Sequence, residues 1–389
     1  MASSARQIDW FTAFDDTPAV TLSAPALARV LKTLAGARNR FEKREVFQTV
    51  RLTASGDTVS LTARCEAAET RVRLAGDVVG SLDILVPWTT MHQLAKTAGP
   101  ITFRDERAET PVGQYTWDPC PLTHWPEDAD AAMESPASAT SAPVVLDAAT
   151  LRRYLHTLRT ATAPRWDSRS ILTGILIDPD NRRCVATDGT RLIRTPLPGP
   201  LAGSLSVIAP EGVAALLAVL GPTPRGTITW HQSLPWTVCR YDTAEVAIRL
   251  LEGRYPDINR LFPETYPAEA TVAGRDLANA LARVGAAVRH VRGAFLFITW
   301  QANRLVVSTD DNNPPLSIPV PGQGQIPPGE SIYAAFYPEN LTAIGKTLDS
   351  GPVRCQYSER EGSTLLTQGD VAHLILPLRN ARMPTLPSS

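Results

Sequence analysis

The side chains that could carry chemistry are few and far apart. Asp188-Gly189-Thr190 is the segment with the most reactive look: in the pattern Asp-x-Asp-Gly-Thr the first carboxylate attacks phosphorus, and a phosphate-processing enzyme would be built around it. Here the attacking place holds Ala186, which has no nucleophile, so the segment reads as a tight hairpin turn between two β-prone runs. The six histidines (His92, His124, His156, His231, His290 and His373) form no HxxxH or HExxH pair that would grip a metal. Gly322-Gln323-Gly324 lacks the third glycine and the following helix of a phosphate-cradling loop. No pair of carboxylates has a spacing suited to acid–base work. The five cysteines (Cys65, Cys120, Cys184, Cys239 and Cys355) are odd in number and form no CxxC, which argues for reduced thiols. The expectation is a chain with no catalytic residue, no metal and no cofactor.

What remains is positive charge, and its placement depends on the elements that carry it. Leu27, Val30, Leu31 and Leu34 form an apolar stripe at i, i+3, i+4, i+7, the signature of an amphipathic helix. The same spacing recurs in Leu151, Tyr154, Leu155 and Leu158, and again in Leu277, Ala280, Leu281 and Val284, at a period of roughly 125 residues. Periods of 20 to 50 residues mark solenoids; one this long marks three copies of a globular domain. Over 24–44, 146–169 and 273–292 there are 15 Lys or Arg against 4 acids, so the rest of a chain of net charge −1 carries −12. The first helix of every copy, with its trailing loop, is therefore basic on an acidic protein. Such surfaces hold a polyanion through counterion release, while the acidic remainder discourages wrong orientations. Aromatic residues are sparse and irregularly placed in these segments (Phe41, Tyr154 and Trp166), which favours duplex DNA gripped by its backbone over stacking on single strands. The candidate DNA contacts are Arg29, Lys32, Arg38 and Arg40 in the first copy and Arg152, Arg153, Arg159 and Arg169 in the second. Arg283, Arg289 and Arg292 are their counterparts in the third.

Other landmarks keep the period. A second short helix is expected to open near Pro87, Pro210 and Pro338, where a missing amide does no harm. The strand and hairpin of copy two (184–194) have equivalents at 304–313 and, more loosely, 59–65; further short strands close the copies, ending at 252–257 and 373–379. This order of helices and strands, without a βαβ rhythm, predicts an α+β domain with helices on one face of antiparallel sheets. The acidic, Ala- and Ser-rich stretch 127–142 reads as a linker. The expected domains are 1–135, 145–262 and 263–380, with a linker at 136–144 and a tail at 381–389. With 43% hydrophobic residues the chain can fill such cores. No apolar run is long enough to span a membrane and the first twenty residues are too polar for a secretory leader, so a cytoplasmic protein is expected.

Three tandem α+β copies, basic first helices, the hairpin 186–192 (Ala-Thr-Asp-Gly-Thr-Arg-Leu), 252–257 (Glu-Gly-Arg-Tyr-Pro-Asp) and 374–379 (Leu-Ile-Leu-Pro-Leu-Arg) together resemble the beta subunit of bacterial DNA polymerase III, the sliding clamp. Copies two and three match best. The resemblance implies a fold of three DNA-clamp domains that closes as a six-domain ring in a head-to-tail homodimer, basic helices lining the hole. It implies a non-catalytic processivity factor that encircles duplex DNA and tethers the polymerase. It also implies a pocket that receives short peptides of the polymerase alpha subunit and the clamp loader. Carried over residue by residue, that pocket would comprise Leu172, Thr187, Gly189, Arg191, Leu192, Pro256, Arg260 and Leu261, with Leu376, Pro377, Leu378 and Arg379. Val291 and Asn340 belong to it as well but stand where the family usually has aromatics, and Thr190 replaces a common histidine; a shallower pocket or different peptides are expected. Copy one has Ala63-Arg64 where the other hairpins have Thr-Asp. A fold-back of 383–386 over the pocket is a further expectation. The alternative is a diverged accessory clamp with an altered partner pocket.

Overall fold

The computed structural model describes residues 17–38, 42–134, 142–201, 203–263, 265–309, 315–326, 332–358 and 363–378. The first run of elements is β1 (Ala19–Ser23), α1 (Ala24–Leu34), β2 (Thr49–Ser55), β3 (Thr58–Arg64), β4 (Ala68–Leu74), β5 (Asp77–Val79), β6 (Ser81–Pro87), α2 (Trp88–Leu94), β7 (Pro100–Arg104), β8 (Arg107–Thr110), β9 (Gly113–Thr116) and α3 (Asp128–Glu134). The second is β10 (Val144–Asp147), α4 (Ala148–Leu158), β11 (Ile175–Asp178), β12 (Arg183–Thr187), β13 (Arg191–Pro196), β14 (Ser206–Ile208), α5 (Pro210–Leu220), β15 (Thr227–Ser233), β16 (Trp236–Tyr241) and β17 (Ala244–Arg249). The third is β18 (Ala268–Ala273), α6 (Gly274–Ala287), β19 (Leu296–Gln301), β20 (Arg304–Thr309), β21 (Ser317–Gln325), β22 (Ile332–Phe336), α7 (Pro338–Gly345), β23 (Pro352–Tyr357), β24 (Thr364–Gln368) and β25 (Val371–Ile375). Strand, helix, strands, helix and a closing three-stranded meander thus occur three times.

Packing divides the chain into two compact units: one holds 1–135 with 214–221 and 239–247, the other the remainder. In the first, a five-stranded sheet runs β5-β1-β7-β8-β9, and the meander β2-β3-β4 lies between β6 and the start of β17. In the second, a twelve-stranded antiparallel sheet runs β14-β11-β12-β13-β25-β24-β23-β18-β21-β20-β19-β22.

The three predicted stripes are the buried faces of α1, α4 and α6. Their starts follow capping chemistry: Ser23 accepts from the Ala26 amide at 3.3 Å and Asp147 from the Thr150 amide at 2.7 Å. Pro210 and Pro338 open α5 and α7, and Pro87 is the N-cap of α2. The third copy closes around Trp300, Phe336, Leu277 and Leu281, all fully buried.

Three expectations need correction. The stretch 127–142 is not linker throughout, because Asp128–Glu134 is helical and buries Ala129, Ala132 and Met133. The carboxylates that looked like linker charge are ion-pair partners: Asp130 binds Arg51 (3.2 Å) and Arg71, and Asp128 binds Arg64. The hairpin of copy two is present but looser than a tight turn, since Thr187 pairs with Leu192 and the four residues between them form the loop. Finally, 252–257 and 376–378 are irregular, as Gly253 (φ +132°) and the prolines at 256 and 377 break any ladder. The residues 310–313 and 381–389 lie outside the described residues.

Beneath the α3 ion pairs sits Glu69, fully buried, with the Arg64 guanidinium donating to it at 3.2 Å. Burial and the neighbouring Asp130 outweigh Arg64 and Arg71 and push its carboxyl up to about 8. A proton is therefore held in the folded state between pH 4.5 and about 8, so this contribution to stability is complete below 4.5 and lost as pH rises through 8. Glu69→Gln is expected to flatten that dependence: urea unfolding at pH 5 and pH 8 should show the unaltered chain losing more stability across the interval than the variant.

Candidate functional site

Arg29 and Lys32 project from the exposed face of α1, and Arg283 from that of α6, opposite the apolar stripes. Arg289 and Arg292 follow in the exposed turn after α6. Arg152 and His156 on α4 and Arg159, its C-cap, share one face at i, i+4, i+7. Burial and the two flanking arginines lower the His156 pKa, keeping its imidazole neutral near pH 7. Arg152, Arg153 and His156 line a cavity of about 330 Å³ together with Lys346. Lys346, just after α7, escaped a reading that weighed only first helices. Its signal was positional: Lys96, just after α2, occupies the matching place, and together they are half of the chain's four lysines.

Arg38, Arg153 and Arg169 are engaged by neighbouring side chains. Arg38 is half-buried and lies 5.0 Å over the Trp88 ring. Arg153 grips Asp370 with both terminal nitrogens at 3.0 Å, and the Tyr154 hydroxyl donates to the same carboxylate. Arg169 holds Asp167 at 2.8 Å and donates to the Asp188 carbonyl at 3.0 Å, so it braces the 188–190 loop. Arg40 lies outside the described residues.

The Arg153 hydrogen bond, aided by Tyr154, lowers the Asp370 pKa below its usual 3.8. A carboxyl so shifted stabilises the fold above its unfolded pKa, and the gain is lost as pH falls through the folded value. Because both side chains are over a third exposed, the gain is discounted for solvent screening. Asp370→Asn is expected to remove about 1 kcal/mol at pH 7 and progressively less as pH falls below 3.8, as urea unfolding over a series of acidic pH values would show.

The predicted peptide-pocket residues separate into two layers. Leu172 and Leu192 are 3% and 2% exposed and belong to a core cluster with Leu176, Val185, Tyr255 and Leu374. They are packing residues in this structure. Leu261 is half-buried against that cluster. Above them is the loop of the β12–β13 hairpin. Asp188 Oδ1 accepts from the Thr190 amide and hydroxyl, both at 2.8 Å, and from the Arg191 amide at 3.1 Å. Thr187, buried, donates through its hydroxyl to the Arg191 carbonyl at 2.6 Å. Gly189 sits at φ +92°, a conformation that favours glycine. Arg191 is held by Asp188 at 3.0 Å and by the Thr160 carbonyl.

The segment 376–378 docks on this loop, for the Leu376 amide donates to the Thr190 carbonyl at 3.0 Å and the Leu378 amide to the Ala335 carbonyl at 2.8 Å. Leu376, Pro377 and Leu378 are half-buried. Asn340 on α7 is 4% exposed and donates to the Thr190 hydroxyl at 3.2 Å. The two departures from aromatic and histidine thus bond to each other. Pro256 and Arg260 are exposed, the latter 3.4 Å from Asp257. Val291, 41% exposed, lines the cavity of about 740 Å³ between α6 and α7 with Tyr337 and Arg289. Arg379 lies outside the described residues.

Asp188, the one candidate for phosphate chemistry, is spent on its own turn, and Ala186 is fully buried in β12. Gly322 and Gly324 are strand residues of β21. The five thiols are buried, and burial, with the Asp178 charge adding to it and a Thr195 hydrogen bond opposing it, pushes Cys184 up to about 12. Among the described residues, no helix is long and apolar enough to cross a membrane.

No family model matches the chain. It is 26% identical over 227 residues to the beta sliding clamp of Staphylococcus aureus, a match that takes in 55% of this chain and 58% of that protein. The chain thus spans less than two thirds of the length of those relatives. It is 23% identical over 370 residues to the beta sliding clamp homolog GriR of Streptomyces muensis, covering 86% of this chain and 92% of that protein. Among solved structures, the DNA polymerase sliding clamp of Bacillus subtilis superposes with a TM-score of 0.81 at 15% identity, over 94% of this chain and all of that one. The chain has the sliding-clamp fold.

Proposed function

We propose that this chain is a sliding clamp, a non-catalytic factor that encircles duplex DNA and tethers a DNA polymerase to its template. The observation that carries the reading is the recurrence of one helix three times, each burying its apolar stripe and turning arginine or lysine outward. A helix repeated in this way suits an object with the same charge all around it, and duplex DNA is such an object. Two chains of three domains (1–135, 145–262 and 263–380) would close head to tail into a ring working in the cytoplasm. Heterologous contacts that close give rings rather than filaments. Retention is then topological, so each phosphate contact can stay weak and the ring can slide. Peptides of the polymerase alpha subunit and of the clamp loader would dock at the 187–191 loop and 376–378.

The test is a molar mass from light scattering across a dilution series, followed by retention on nicked circular DNA. A dimer near twice 42.1 kDa that stays on circles but runs off linear DNA supports the clamp. A chain that stays on neither defeats it. A second reading, a diverged accessory clamp with an altered partner pocket, is favoured by the Asn340–Thr190 hydrogen bond, which ties α7 to the loop where partners would dock.

A further inference from the structure

One type of junction is built twice within the chain. In the first unit, β4 runs beside the start of β17, and the Arg73 amide donates to the Thr243 carbonyl at 2.9 Å. Backbone N–H and C=O groups alternate sides along a strand, so Glu69, Arg71 and Arg73 all face that neighbour. In the second unit, β13 runs beside β25 with Leu192 opposite Leu374. The Leu376 amide donates to the Thr190 carbonyl, which puts Thr190, Leu192 and Arg194 on the side of β25. Both strands close a meander, β2-β3-β4 and β11-β12-β13, and both present donors at every position facing the junction.

The meander β19-β20-β21 closes on the first half of β21, 317–321. Two bonds fix which way this strand faces. The Leu316 carbonyl accepts from the Thr309 amide at 3.0 Å, and the Gly322 amide donates to the Asn303 carbonyl at 3.1 Å. Even-numbered residues therefore face β20, while Ser317, Pro319 and Pro321 face away. Proline has no N–H, so two of the three donors that the matching strands possess are missing here. Both prolines are exposed. At the far end of the repeat, β9 closes the meander β7-β8-β9, as β17 and β25 close theirs. The Trp117 amide donates to the Glu106 carbonyl at 3.3 Å, which turns Gln114 and Thr116 away from β8 with their donors intact.

We infer that 317–321 of β21 is the edge that meets β9 of a second copy, and that Pro319 and Pro321 reduce this junction to half a ladder. Carbonyls of β21 accept from the Gln114 and Thr116 amides of the other copy, and only Ser317 returns a donor. The inference rests on the ring reading above and adds the strength of the junction between copies: with Pro319 and Pro321 facing it, its ladder is thinner than that of either internal one. Prolines on an edge strand also stop indiscriminate strand addition while no partner is bound.

The experiment compares self-association by sedimentation velocity across a dilution series. Pro319→Thr with Pro321→Thr restores two donors and is expected to lower the dimer dissociation constant roughly ten- to thirtyfold. Thr116→Pro removes an opposing donor without touching the β8 ladder and is expected to raise it about tenfold. Circular dichroism melting checks that each variant is folded. Constants unchanged in both folded variants, or moved in the opposite sense, overturn the inference. Retention of the unaltered chain on nicked circular DNA separates the two ideas. Retention with unmoved constants defeats the edge assignment and leaves the clamp standing; constants that move as expected without retention leave the edge assignment and defeat the clamp.

Discussion

Glutamate at positions 152, 159, 283 and 289 in place of arginine is expected to abolish binding to linear duplex DNA at moderate salt and to shorten retention on nicked circles, while leaving self-association intact. Arg159, Arg283 and Arg289 are exposed and Arg152 is half-exposed at a shared cavity with Lys346, so none of the four holds up a core. Each phosphate contact contributes about 0.9 to the slope of log affinity against log salt, so losing four should reduce that slope by roughly 3 to 4. Reversal adds repulsion to the loss, and a fall in affinity of about a hundredfold or more is expected. Fluorescence anisotropy over a salt series reads both quantities. Arg153 and Arg169 are left out of the set because Asp370 and Asp167 already neutralise them. Affinity and slope that do not change would remove the basic helices from the mechanism.

Leu192→Ala lowers the stability of the second unit by about 2–5 kcal/mol. The leucine is 2% exposed within a cluster that includes Leu172, Val185 and Leu374, and truncation leaves a cavity that close-packed neighbours fill only in part. In calorimetry this appears as a melting transition lower by roughly 5–15 °C for a body of this size. The measurement separates two roles that the position could have. A leucine that only lines an open groove would lose peptide affinity with little change in melting, whereas a packing leucine loses stability first. The structure predicts the second, and a melting temperature within a degree of the unaltered chain would contradict it.

How much was legible in advance varies from element to element. The three stripes were, because burying one face of a helix imposes a 3.6-residue period that no other element shares. The prolines that open the short helices were also legible, since they answer to local backbone geometry. The helix Asp128–Glu134 was not: its acids read as solvent-exposed linker until Arg51, Arg64 and Arg71, some sixty to eighty residues earlier, were seen to meet them. The loop at 188–190 was recognised as a turn, but the size of its hydrogen-bond network depends on Asp188 folding back on its own backbone.

Residue order alone dictated the repeat, the amphipathic helices and the concentration of cations on them, because each is a pattern over neighbours on one element. Tertiary structure decided which of those cations stay available and which are tied up, as Arg153 is by Asp370 from more than two hundred residues away. It decided that Leu172 and Leu192 lie in the core beneath the 187–191 loop. It also decided that Pro319 and Pro321 aim their missing donors away from β20, since the side a backbone amide faces is set by the register of its neighbour, and register is a property of two strands at once.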